Sequence, residues 1–182
     1  MGKRINMYNH LIKLRLGNYF LFCCIAFFSF SIKGETMSLL PSPQEVVLSS
    51  PMEGILTFEG KPLTGVKIER KLSWFDKSES VEDFVVTNSQ GHFTLPLVKK
   101  SIKLSNLVHF VVSQEIHAIH NSEPIVIWAM GKSSKIEYGE LGGKPINLRC
   151  ELSSEEVVTR DYKNPLMTRC TWDSLEPWTN TE

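Results

Sequence analysis

Three histidines sit close together in the chain, His109, His117 and His120, and imidazole is a frequent metal ligand. His117 and His120 stand three apart. A helix would put both on one face, whereas a strand would point them to opposite sides. No His-Glu-x-x-His and no Cys-x-x-Cys accompanies them, so they read as ordinary surface or edge histidines. Gly131-Lys132-Ser133-Ser134-Lys135 offers the residue types of a Ser–Lys pair. With no Gly-x-Ser-x-Gly elbow around it, the segment reads as a polar turn. The run Glu79–Asp83 holds three acids and reads as a solvated loop rather than a calcium site. The expectation is therefore no catalytic residue, no metal ligand set and no cofactor. The residues left over are the tryptophans. Trp74 with Phe75 ends one apolar stretch, and Trp172 and Trp178 lie near the C-terminus. These four form the candidate binding surface, because exposed tryptophans anchor partners. Trp128, inside a continuous apolar run, is assigned to the core.

The elements that would position these residues are strands. From Met52 onward no long 3.6-residue apolar period occurs, and short apolar runs alternate with turn residues. The candidates are Gly54–Phe58, Gly65–Leu72, Phe84–Thr87, the alternating Phe93, Leu95 and Leu97, and the runs Leu107–Val112 and Ile125–Met130. Ile146, Leu148, Cys150 and Leu152 alternate with polar residues, which points Cys150 inward. Asn88-Ser89-Gln90-Gly91 reads as a tight hairpin. About seven strands predict an all-β chain folded as a single Ig-like β-sandwich. Length gives one domain over residues 52–170, a Pro/Ser-rich extended lead-in over 33–51 and a tail over 171–182.

The first 32 residues read as an address. Residues 19–32 are fourteen positions without a charge, short for a span of about 20 residues but suited to a signal peptide. Five basic and no acidic residues occupy residues 1–33. A cut after Ser31 would remove the segment, and an uncleaved anchor helix over residues 17–32 is the alternative. Either way the segment engages the membrane during export and the body becomes periplasmic or secreted. Twenty basic residues less these five leave fifteen against twenty acidic ones in the body, a formal charge of −5 that excludes phosphate-driven nucleic-acid binding. Two of the four cysteines fall in the apolar run. The remaining pair, Cys150 and Cys170, reads as a disulfide in an exported domain, with two separate buried thiols as the alternative.

Gly54-Ile55-Leu56-Thr57-Phe58-Glu59-Gly60-Lys61-Pro62-Leu63-Thr64-Gly65-Val66-Lys67-Ile68 resembles the opening hairpin of carboxypeptidase-regulatory-like domains, and Thr87-Asn88-Ser89-Gln90-Gly91-His92-Phe93 resembles their second signature, with Asn88 in place of the usual Asp. The resemblance implies a transthyretin-like (prealbumin-like) β-sandwich over about residues 52–98, and the remainder resembles a bacterial exported family built on this sandwich. Transthyretin-like hydrolases of 5-hydroxyisourate end in Tyr-Arg-Gly-Ser, which this chain lacks, so their activity does not carry over. The resulting expectation is a non-enzymatic exported module that binds another protein of the cell envelope, in its sharpest form an immunity-type inhibitor of an antibacterial toxin. The alternative is a carbohydrate or cell-wall binding sandwich, with a metal-binding protein or enzyme as the third reading.

Overall fold

The computed structural model describes residues 42–74, 79–104 and 109–177, all within one compact unit, Leu39–Glu182. The signal or anchor segment, residues 33–41 of the lead-in, Phe75 and Trp178 lie outside the described residues. Fifteen strands are found among the described residues: β1 (Ser42–Ser49), β2 (Met52–Phe58), β3 (Lys61–Pro62), β4 (Lys67–Trp74), β5 (Glu79–Val86), β6 (His92–Leu95), β7 (Val98–Leu104), β8 (Val112–His120), β9 (Glu123–Lys132), β10 (Lys144–Ile146), β11 (Leu148–Glu151), β12 (Val157–Thr159), β13 (Leu166–Thr168), β14 (Cys170–Thr171) and β15 (Ser174–Glu176). The molecule is all-β, and among the described residues no helix is long and apolar enough to cross a membrane.

The strands form four sheets. The largest has six in the order β12-β13-β9-β8-β4-β5, every neighbouring pair antiparallel. A five-stranded sheet runs β14-β11-β2-β3 with β6 also paired to β2, and its β11–β2 pair is parallel. Two smaller sheets pair β1 with β7 and β10 with β15.

Period-two burial explains how these sheets stack. Along β8, Val112, Gln114, Ile116 and Ala118 are buried, while Ser113, Glu115 and His117 are half-buried on the other face. Along β4 the inward set is Ile68, Arg70, Leu72 and Trp74. One core joins Leu56, Phe93, Leu95, Leu148 and Cys150 of the five-stranded sheet to Ile68, Ile116, Ala118, Ile127, Trp128 and Leu166 of the six-stranded sheet. A second core sets Val46, Leu48, Ile102 and Leu104 of the β1–β7 pair against Leu72, Trp74, Phe110 and Val112. The inner face of the six-stranded sheet is thus covered in turn by the five-stranded sheet and by the β1–β7 pair. Each fully buried Leu, Ile or Phe contributes roughly 1.5–3 kcal/mol of transfer free energy.

Several boundaries differ from the sequence reading. More strands form than the seven expected, because many are only two or three residues long and carry no readable period. The expected lead-in contains β1, whose Val46 and Leu48 are buried against the six-stranded sheet, and the expected tail supplies β15, which pairs with β10. The run Leu107–Val112 leads into a strand that begins only at Val112 and continues to His120. The Asn88–Gly91 turn is not a hairpin. It carries the chain from β5 across to the five-stranded sheet, where β6 pairs with β2. The Asn88 carboxamide oxygen accepts from the backbone N–H of Gln90 and His92 at 2.9 and 3.0 Å, and the Gly91 carbonyl accepts from Leu56 N–H at 2.8 Å, tying the turn to the second sheet.

Candidate functional site

Cys150 on β11 and Cys170 on β14 are partners in register, and a disulfide joins them across the sheet. Residues 151–169 therefore form a closed excursion that includes β12 and β13.

The tryptophans separate. Trp74 is 2% exposed and is not the surface platform expected of it. Its place on β4 shares parity with Leu72, so it turns inward beneath the β1–β7 sheet, with Lys100 Nζ 4.6 Å from its ring centroid. The covering sheet was hidden in sequence by the prolines and serines of the lead-in. Trp172 is half-buried. Its ring centroid lies 6.1 Å from buried Trp128 and 5.9 Å from Tyr162.

The histidines do not converge. β8 is a strand, so His117 points to the outer face of the six-stranded sheet, whereas the His120 ring lies 5.1 Å from Phe58. His109 precedes the strand and is exposed. Among the described residues no group of three His, Cys, Asp or Glu side chains could hold a metal ion.

Sequence reasoning missed a row of buried polar side chains on the inner face of the six-stranded sheet, among them Arg70, Gln114 and Lys132, where the two cores meet. Arg70 binds both Asp83 oxygens at 2.9 and 2.5 Å, Ser49 Oγ at 3.1 Å and the Pro96 carbonyl at 2.8 Å. Glu140 accepts from Ser50 N–H at 2.9 Å, Ser50 Oγ at 2.7 Å and Gln114 Nε2 at 3.0 Å, and lies 3.5 Å from Lys132 Nζ. Lys132 also donates to the Ile136 carbonyl at 2.6 Å. Burial pulls the Lys132 pKa below the ordinary lysine value, against the opposing pull of Glu140. Burial and the carboxylates Glu137 and Glu140 push Tyr138 up. With both charges matched and their hydrogen bonds made, this row holds the sheets in register.

The open surface is elsewhere. β5 is an edge of the six-stranded sheet, paired only to β4 among the described residues. Its odd positions face inward: Val81 and Val85 pack on the cores and Asp83 meets Arg70. Its even positions, Glu82, Phe84 and Val86, face out, with Phe84 60% and Val86 54% exposed. Phe84 stands opposite Glu69, and Lys67 Nζ lies 4.4 Å above its ring. A shallow depression beside it is lined by Lys67, Lys71, Glu82, Glu115, His117 and Pro124. An eight-residue edge strand carrying two large exposed apolar side chains is what natural proteins usually blunt or cover. The segment Phe84–Thr87 was legible only as a strand, because sequence does not reveal which strand ends a sheet.

Residues 52–155 match the model of a family described as a domain of unknown function (DUF6795). No curated protein and no solved structure matches the chain.

Proposed function

The chain belongs to the DUF6795 family, and we propose that it is a non-enzymatic module of the cell envelope that binds another protein through the β5 edge of its largest sheet. The observation that carries this reading is the pair Phe84 and Val86, exposed side by side on a strand whose outer edge is unpaired among the described residues. An extended segment of a partner can add to such an edge, taking affinity from main-chain hydrogen bonds and specificity from the side chains beside it. Phe84 supplies the apolar anchor, and Lys67, Glu69, Lys71 and Glu82 give it a charged rim. The Cys150–Cys170 bridge supports an oxidising compartment, in line with the expected signal segment and a periplasmic location. The two larger sheets, with Gly60 and Gly91 in the left-handed backbone region at their turns, support the transthyretin-like, carboxypeptidase-regulatory-like reading of the architecture. In its sharpest form the module is an immunity-type inhibitor that covers a toxin.

The test is a photo-crosslinking residue placed at Phe84 in the full chain, expressed in the source cells, with the same residue at exposed Thr94 on β6 as control. The reading predicts one discrete protein adduct from position 84 that position 94 does not give. Equal adduct patterns from the two positions would overturn it.

A further inference from the structure

We propose that the groove beside the disulfide is a separate saccharide site, holding one pyranose ring against Tyr162 and Trp172 and one ligand oxygen on Arg169. The groove encloses about 690 Å³, within the usual size of small-molecule sites. It lies where β12 and β13 meet the disulfide-bonded pair β11–β14, at the opposite end of the six-stranded sheet from β5.

Three observations converge there. First, Tyr162 and Trp172 are both half-buried and 5.9 Å apart between centroids. Both pack on the main core, and Trp172 also rests against buried Trp128. The aromatic floor is therefore held in place before a ligand arrives, which lowers the ordering cost of stacking a sugar ring on it. Second, Arg169 lines the groove half-buried, with one guanidinium nitrogen on the Ser154 carbonyl, and its planar fork carries further N–H donors that a ligand oxygen can take. Third, the rim offers Thr159, Thr171, Glu155 and Asp161, hydroxyls and carboxylates suited to the mixed donors and acceptors of sugar hydroxyls. A peptide side chain would find little apolar depth, since Val157 is the one aliphatic residue that lines the groove. Two aromatic rings tilted 45° to each other and ringed by donors and acceptors fit a pyranose, whose one face is C–H and whose edge is hydroxyl.

The experiment titrates the full chain in detergent with chitohexaose, cellohexaose and hexagalacturonate, read by tryptophan fluorescence and calorimetry. Saturable binding of at least one sugar is expected, with Tyr162→Ala and Arg169→Ala each lowering affinity about tenfold or more, which is 1.4 kcal/mol per factor of ten. Thr171→Arg fills the exposed rim without touching the core, so it blocks binding even should Tyr162→Ala unfold the protein. Phe84→Asp leaves sugar affinity unchanged, which separates this site from the protein-binding edge. No saturable binding by any of the three sugars, or binding that survives Thr171→Arg, overturns the proposal.

Discussion

Removing Asp83 should destabilise the protein more than removing Arg70, although the two residues share one ion pair. The Arg70 side chain is wholly buried, whereas that of Asp83 is 31% exposed. In Asp83→Ala the guanidinium stays inside with only Ser49 Oγ and the Pro96 carbonyl as partners. Breaking a buried pair in this way costs about 3–5 kcal/mol, and the two remaining acceptors place this case near 3 kcal/mol. Arg70→Met keeps the volume and removes the buried charge, while the stranded carboxylate can turn to water. Its cost is about 1–2 kcal/mol, for the hydrogen bonds lost to Ser49 and Pro96. The double variant should be no less stable than Asp83→Ala, because its second change removes the charge that the first left unpaired. Urea unfolding at constant slope measures all three midpoints. If Arg70→Met unfolds at lower urea than Asp83→Ala, or if the two costs add in the double variant, the reasoning fails.

Glu151 caps the β2–β3 turn. Burial alone would raise its pKa, but hydrogen bonds from Ser153 Oγ and N–H, Gly60 N–H and Thr57 Oγ1 outweigh that and hold it at about 2 against an ordinary 4.5. A depressed carboxylate contributes stability above its unfolded pKa and loses it as pH falls through the folded one. Thermal midpoints should therefore drop between about pH 4.5 and 2 in the wild type, and Glu151→Gln should flatten that part of the profile. Gly91 has φ of 72°, and an added Cβ would sit 2.5 Å from the Leu56 carbonyl oxygen, so Gly91→Ala should lower the thermal midpoint more than Gly60→Ala, where nothing lies within 4 Å. Replacing Cys150 and Cys170 together by Ser should cost about 3 kcal/mol by chain entropy, and thiol alkylation of the native protein under non-reducing conditions should label neither.

The parts of this fold that were legible in sequence are those whose inward residues are uniformly apolar. Leu148 and Cys150 announced β11 and its inward cysteine, and Ile125–Met130 announced β9, whereas Ile146 falls in β10 of another sheet, beyond the left-handed Asn147. β8 was not recognised because its inward set includes Gln114, whose partners Leu48 and Glu140 lie far away in the chain. The burial of Arg70 and Lys132 was not legible for the same reason: their partners are Asp83, Ser49 and Glu140, brought there only by folding. Trp74 was misplaced because its cover, β1, is written in a proline, a glutamine, a glutamate and two serines as much as in valines. The exposure of Phe84 is a property of sheet order, which no local pattern encodes.

The central claim, that β5 docks a protein, is tested most directly with the partner captured at position 84. Its affinity for the purified full chain should be compared with that for Phe84→Asp, once equal thermal midpoints show that the substitution leaves the fold intact. A docking edge anchored by Phe84 predicts at least a tenfold loss, about 1.4 kcal/mol or more. Unchanged affinity in a folded Phe84→Asp protein would contradict it.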